Sequence, residues 1–206
     1  MRKVIAAINM TLDGFCDHTA GLVADEELHY HYADLLNNAE VILYGRTTYQ
    51  LMQFWQTLLK NPSDEKSMND FAISIDKIEK IIFSNTLNDT GWDTAKLANR
   101  PLDQEVLELK QQSGKDIFVG SRSLIIQLLN SNLIDEFQIC IHPVIEGKGL
   151  PLFDQIKDRT VFKLIKTKSL NSGATYPPFE VHIFIQGTSQ HFCDAPAWCG
   201  VVNKNA

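Results

Sequence analysis

Apolar residues recur along this chain in two alternating patterns, and the alternation predicts its elements. Lys3 to Asn9 (KVIAAIN) is a short continuous apolar run of the kind found in a buried strand, closed by the turn pair Asp13-Gly14. Residues 25–39 (DEELHYHYADLLNNA) place Leu28, Tyr32, Leu35 and Leu36 at helical spacing behind an acidic first turn. Val41 to Tyr44 (VILY) predicts a second buried strand, and TTYQLMQFWQTLL one continuous helix after it. The polar stretch NPSDEKSMND predicts a loop with at most a short helix near Phe71 to Ile75. Lys80 to Leu87 (KIIFSNTL) predicts a third strand. Pro101 to Gly114 predicts a helix, opened by proline and closed by glycine. Lys115 to Gly120 predicts a strand, and Ser121 to Asn132 a helix.

This strand–helix rhythm implies a mostly parallel sheet with crossover helices on both faces. Beyond Leu133 the pattern changes. IDEFQICIHPVI, RTVFKLIKTKSL and PFEVHIFIQ read as long strands without helices between them, so the sheet is expected to end in antiparallel pairs. Residues 187–206 lose all periodicity and read as an appended tail, leaving one α/β domain over 1–186.

Composition narrows the function classes. With 206 residues and 44% hydrophobic content, the chain can bury a full core. A formal net charge of −6 without any basic stripe argues against a nucleic-acid surface. No run approaches the roughly 18 apolar residues of a membrane helix. The four cysteines are irregularly spaced and form no CxxC, which suits reduced thiols and a cytoplasmic location.

Ligands of open α/β sheets sit beyond the carboxyl ends of the strands. Those ends carry Met10-Thr11-Leu12-Asp13-Gly14, Gly45-Arg46-Thr47-Thr48, Ser84-Asn85-Thr86 and Gly120-Ser121-Arg122-Ser123. Two of these are strand–glycine–helix turns, whose free N–H groups suit anions. Two on one edge point to a ligand with more than one phosphate. No G-x-G-x-x-G and no G-x-x-x-x-G-K-[ST] occurs. His29 and His31, two apart on a helix, face different directions and form no metal pair. No metal site is expected. Phe54 and Trp55 read as helix-face packing.

The ordered set LDG, YGRTTY, FSNTL, IFVGSRSL and LIDEFQICIHPVIEGKGLPLF resembles the dihydrofolate-reductase-like superfamily. Its closest branch is the reductase domain of the bacterial riboflavin deaminase-reductase, and the resemblance spans Arg2 to Gln186. It implies an NADPH site. Gly45, Arg46, Thr47 and Thr48 would hold dinucleotide phosphates, Ser84 and Asn85 would lie at the adenosine 2′-phosphate, and Gly120, Ser121, Arg122, Ser123 and Leu124 would form the turn under the pyrophosphate. Ser121 stands where a second glycine is usual, and Asn85 where a basic residue is frequent.

On the substrate side the resemblance implies Met10, Asp13, Gly14 and Phe54. True dihydrofolate reductases carry a carboxylate on the helix before the GR turn, and counting back from Gly45 puts His29 there. The catalytic carboxylate is therefore expected at Asp13, with Glu26 and Glu27 as alternatives, and partial burial against a bound cofactor ring is expected to raise the pKa of Asp13. The implied activity is NADPH-dependent reduction of a 5-amino-6-(5-phosphoribosylamino)uracil-type pyrimidine or a dihydropterin. The alternative is a non-catalytic dinucleotide-binding dimer acting as a sensor or structural protein. No H-x-E with P-C-x-x-C occurs, so a riboflavin role would be reduction alone. The relatives also imply a homodimer.

Overall fold

The computed structural model describes residues 1–18, 22, 24–176 and 178–182. The expected tail at 187–206 lies outside the described residues. Six strands form a parallel array: β1 (Val4–Thr11), β2 (Ala39–Gly45), β3 (Glu79–Phe83), β4 (Ala95–Leu97), β5 (Asp116–Val119) and β6 (Glu136–His142). β7 (Val161–Leu164), β8 (Lys168–Ser169), β9 (Thr175–Tyr176) and β10 (Pro178–His182) complete the described sheet. Its order is β4-β3-β2-β5-β1-β6-β10-β7, and β10 runs antiparallel to both β6 and β7.

Successive strand residues face opposite sides, so each central strand feeds two cores. Val41 and Leu43 of β2, with Ile117 and Val119 of β5, join the layer beneath α5 (Leu102–Gln111) and α6 (Arg122–Asn130). Ile42, Tyr44 and Phe118 face the other way. There they meet α1 (Glu26–Asn38), α2 (Arg46–Met52) and α4 (Lys66–Lys77). Burial on both faces explains why these strands read as unbroken apolar runs.

Several boundaries differ from the sequence expectation. The helix expected after Gly45 is two, α2 and α3 (Phe54–Lys60), meeting at Gln53. The loop expected around residues 61–70 gives way to the twelve-residue α4, whose buried Phe71, Ala72 and Ile75 share one face among polar neighbours. β3 ends at Phe83, because Ser84 Oγ accepts the N–H groups of Thr86 (3.2 Å) and Leu87 (3.0 Å) and turns the chain. The short edge strand β4 was not foreseen. The expected long strand over RTVFKLIKTKSL is the separate β7 and β8.

α1 begins where Asp25 caps it, its Oδ1 accepting the N–H of Leu28 at 2.8 Å. Lys80 is fully buried on β3, and its Nζ donates to Ile78 O (2.8 Å), Asp76 O (3.2 Å) and Thr94 Oγ1 (2.6 Å). It lies 4.1 Å from the Trp92 ring centroid. A cation on the last carbonyls of α4 complements the helix dipole.

Candidate functional site

The carboxyl ends of β2, β3 and β5 bring the two strand–glycine–helix turns into direct contact. Gly45 ends β2 and Gly120 follows β5, and a side chain at either position would crowd a neighbour. A Cβ on Gly45 would lie 3.2 Å from Ser123 Oγ, and one on Gly120 3.0 Å from the Tyr44 ring. The Gly45 N–H donates to Ser121 Oγ at 2.9 Å in a buried position. Ser121 thus joins the turns from within, and its hydroxyl faces Gly45.

Beside this junction opens a cleft of about 700 Å³. Gly45, Arg46, Thr47, Thr48, Ser84 and Asn85 line one part of it, and Ser123, Leu124 and Gln127 of α6 another. The segment between β4 and α5 adds Asn99 and Arg100, which the sequence reading did not single out. No carboxylate lines this cleft, although the whole chain carries a net charge of −6. Its two cations are Arg46 and Arg100. Arg46 is exposed and donates through Nη1 to Thr86 Oγ1 at 3.0 Å. Arg100 is held by Glu105 at 3.1 Å and Glu108 at 3.6 Å, with its side chain 40% exposed. A second hollow of about 600 Å³ between α1 and α4 is lined by charges of both signs, Glu27, Asp34 and Asp70 with Lys77 and Lys168, and touches neither glycine turn.

Other expected residues are engaged elsewhere. The guanidinium of Arg122 turns away from the cleft: Nε donates to Pro151 O at 2.7 Å and Nη2 pairs with Asp154. Leu124 is buried in the α5–α6 core while its edge reaches the cleft, and Met10 is buried in that same core. Phe54 is 53% exposed at the start of α3, edge-on to Trp55. His29 packs between helices, its ring 5.7 Å from Trp55 and 6.4 Å from Phe71, and burial lowers its pKa.

Asp13, the expected catalytic carboxylate, is engaged by three donors. Its carboxylate accepts from Thr11 Oγ1 (2.7 Å), Glu146 N (3.1 Å) and Gly147 N (2.7 Å). The Thr11 hydroxyl first, then the two N–H groups, hold its pKa below the usual carboxylate range. Asp13 fastens loop to loop. Of the alternatives, Glu27 accepts Asn171 N at 2.7 Å, and Glu26 is exposed on the first turn of α1. Gly14 adopts a φ of +90°, and its carbonyl accepts from Leu152 N at 2.9 Å.

A polar cluster stands at the end of β1, on the face toward α1. The Tyr32 hydroxyl donates to Asn9 Oδ1 at 3.1 Å, and His142 Nε2 lies 3.4 Å from the same oxygen and 3.4 Å from Cys140 Sγ. Burial keeps the Tyr32 phenol protonated, pushes the Cys140 thiol up to about 11 and lowers the pKa of His142, so the cluster is uncharged near neutrality. With Oδ1 occupied, the Asn9 NH₂ donates to no described residue and remains partly exposed. The signal in the sequence was a lone asparagine inside an apolar strand run.

Among the described residues no cluster of His, Cys, Asp or Glu is arranged to hold a metal, and no helix is long and apolar enough to cross a membrane.

Residues 2–176 match the family model of the RibD C-terminal domain. The uncharacterized protein YyaP of Bacillus subtilis (strain 168) is 33% identical over 177 residues, covering 84% of this chain and 91% of that protein. Among solved structures, a putative riboflavin biosynthesis protein from Shewanella sp. PV-4 superposes with a TM-score of 0.65 at 19% identity, covering 88% of this chain and 99% of that one. A pyrimidine reductase-like protein from Corynebacterium diphtheriae gives 0.63 at 16% identity, covering 89% and 93%. At such identities the structures speak for the fold alone. The family match rests on the sequence, and it includes both glycine turns and the LDG loop: the chain belongs to the RibD C-terminal (reductase) domain family, with a dihydrofolate-reductase-like fold.

Proposed function

We propose that this protein is an NADPH-dependent reductase of a small oxo-heterocycle, of the 5-amino-6-(5-phosphoribosylamino)uracil or dihydropterin type. The observation that carries the reading is the cleft beside the Gly45–Ser121 junction. It offers two arginines, several hydroxyls and no carboxylate on a protein that is otherwise acidic. That lining suits the phosphates of a dinucleotide. Arg46 and Thr48 would meet the pyrophosphate side, and Arg100, exchanging Glu105 and Glu108 for the ligand, would supply a cation for a 2′-phosphate where Asn85 has none.

The cofactor, once bound, supplies the hydride, and the protein's part is to orient the two reactants and exclude water. Asn9 fits the substrate side of this reading. Tyr32 and His142 hold its oxygen, leaving its NH₂ to donate to a ring carbonyl. With Asp13 engaged by three donors, the proton that completes reduction is assigned to water rather than to that carboxylate.

Binding without turnover, in a sensor or structural dimer, is the second reading, and the engagement of Asp13 favours it. Calorimetric titration with NADPH and NADH, followed by NADPH oxidation with pyrimidine and pterin substrates, separates the two. The reductase reading expects micromolar NADPH binding and turnover on at least one oxo-heterocycle. Binding without turnover across that panel supports the second reading, and absence of dinucleotide binding removes both.

A further inference from the structure

We propose that Arg122 is a positioning residue that ties the turn at Gly120–Ser121 to the loop 11–16, so that occupancy of one is felt by the other. The claim that this turn receives a cofactor rests on the function proposed above. The tie itself rests on geometry.

Arg122 is the first residue of α6, where a cation opposes the helix dipole, and that first turn contains no acidic residue. Its guanidinium is instead neutralised from outside the helix by Asp154, while Nε donates to Pro151 O at 2.7 Å. Only 14% of the Arg122 side chain is exposed. The segment it holds is bonded along its length to the first loop. Pro151 forms an antiparallel bridge with Phe15, Leu152 N donates to Gly14 O (2.9 Å), and Cys16 N donates to Leu150 O (2.9 Å). Further out, Leu12 N donates to Val144 O at 2.9 Å, and Asp13 accepts Glu146 N and Gly147 N. Leu152 is fully buried and anchors the segment to the core.

A continuous series of contacts therefore runs from the start of α6 through Arg122 to residues 144–154 and on to loop 11–16. Loop 11–16 follows directly from Met10 and Thr11, at the carboxyl end of β1. A phosphate at the α6 turn would favour a rigid Arg122, and rigidity there fixes both loops. Coupling along such a series means that its two ends respond together.

Amide exchange at Leu12, Cys16, Gly147 and Leu152, followed with and without NADPH, provides that measurement. The variants are Arg122→Ala, Asp154→Ala, the double variant and Arg122→Lys. Arg122→Ala and Asp154→Ala are each expected to accelerate exchange at these four amides about ten-fold or more, while the strand amides of β2 and β5 hold their rates. The double variant should add nothing to Arg122→Ala, because the pair acts as a unit. Arg122→Lys should recover part of the protection, since lysine can face Asp154 but its single nitrogen does not reproduce the fork that also reaches Pro151 O. NADPH should slow the four amides in the parent protein and have no such effect in Arg122→Ala.

Unchanged exchange at the four amides overturns the proposal. So does acceleration throughout the sheet with a fall in Tm, which marks a role in global stability only. A loss of NADPH affinity in Arg122→Ala but not in Asp154→Ala overturns it in favour of direct phosphate binding. NADPH that binds the parent protein without slowing the four amides also refutes the coupling. If NADPH does not bind the parent protein at all, the cofactor reading and the coupling to it fail together, while the variant comparison still decides whether Arg122 positions the loop.

Discussion

The backbone N–H of Gly45 donates to the side-chain oxygen of Ser121 at 2.9 Å, across 76 residues of chain and out of contact with water. One hydroxyl therefore satisfies the opening residue of one turn from the opening residue of the other. The two turns are held in register by a bond between them rather than by the sheet alone. Ser121→Ala leaves the Gly45 N–H buried without a partner, a loss of about 1–3 kcal/mol. Urea denaturation should show a lower midpoint with an unchanged slope, and an unchanged midpoint would mean that the turns are held by their strands.

Of the two cations of the cleft, Arg46 is the one held by no carboxylate among the described residues, and its partner Thr86 is a neutral hydroxyl that a phosphate would outcompete. Arg46→Ala removes a charge-assisted contact worth about 1.5–3 kcal/mol. Calorimetry should record NADPH affinity about ten- to a hundred-fold weaker. Thr86→Ala is the control, and it should change affinity by less than about three-fold, or under 1 kcal/mol. Equal effects from both variants would place the phosphate elsewhere.

His31 lies against the Tyr176 ring at 4.0 Å between centroids, and burial lowers its pKa from 6.5 to about 4. Above pH 6.5 the imidazole is neutral in both folded and unfolded chains and contributes nothing to pH dependence. Between pH 6.5 and 4 the unfolded chain takes up the proton first, so stability falls as the pH falls. The loss is on the order of 2–3 kcal/mol once the pH is below both values. His31→Phe keeps a ring against Tyr176 and should flatten the stability profile between pH 6.5 and 4. The same acid slope in both proteins would assign it to other groups.

Lys80 donates to two carbonyls at the end of α4 and to Thr94, and it lies over Trp92. Lys80→Met keeps the length of the side chain and removes all three bonds. A loss of about 2–4 kcal/mol is expected from the carbonyls left without a donor. Thermal unfolding measures it. NADPH affinity should be retained, because Lys80 belongs to the α4 side of β3 and lines no part of the cleft. Loss of binding in a folded variant would contradict that separation.

How much of this was legible in the chain follows from the range of the forces involved. Two-sided burial makes VILY and DIFV continuous apolar runs, so the parallel sheet could be read from local pattern. The helix of Pro101 to Gly114 was legible because proline and glycine act on their own backbone. The glycine turns could be placed because a strand that stops at glycine and opens a helix is a local event. The sequence alone therefore determined the α/β architecture, the family resemblance and the edge on which the turns stand.

What tertiary structure decided is where each polar side chain points. The sequence does not show that Asp13 accepts from Glu146 and Gly147, because these partners lie more than 130 residues away. Arg122 sits in a phosphate-type turn, yet Pro151 and Asp154 draw its guanidinium away. α4 was legible only as a short helix near Phe71 to Ile75 rather than Lys66–Lys77, because its apolar residues share one face among polar neighbours, and their burial depends on packing against α1 and α3. Arg100 carries no local signature and Asn9 only a weak one, since a lone arginine before a helix and a lone asparagine in a strand gain meaning only from what the fold sets beside them. Hydrophobic periodicity is a property of neighbouring residues, whereas the orientation of a charged or amide group is set by its strongest partner in space, and that partner is known only when the chain is folded.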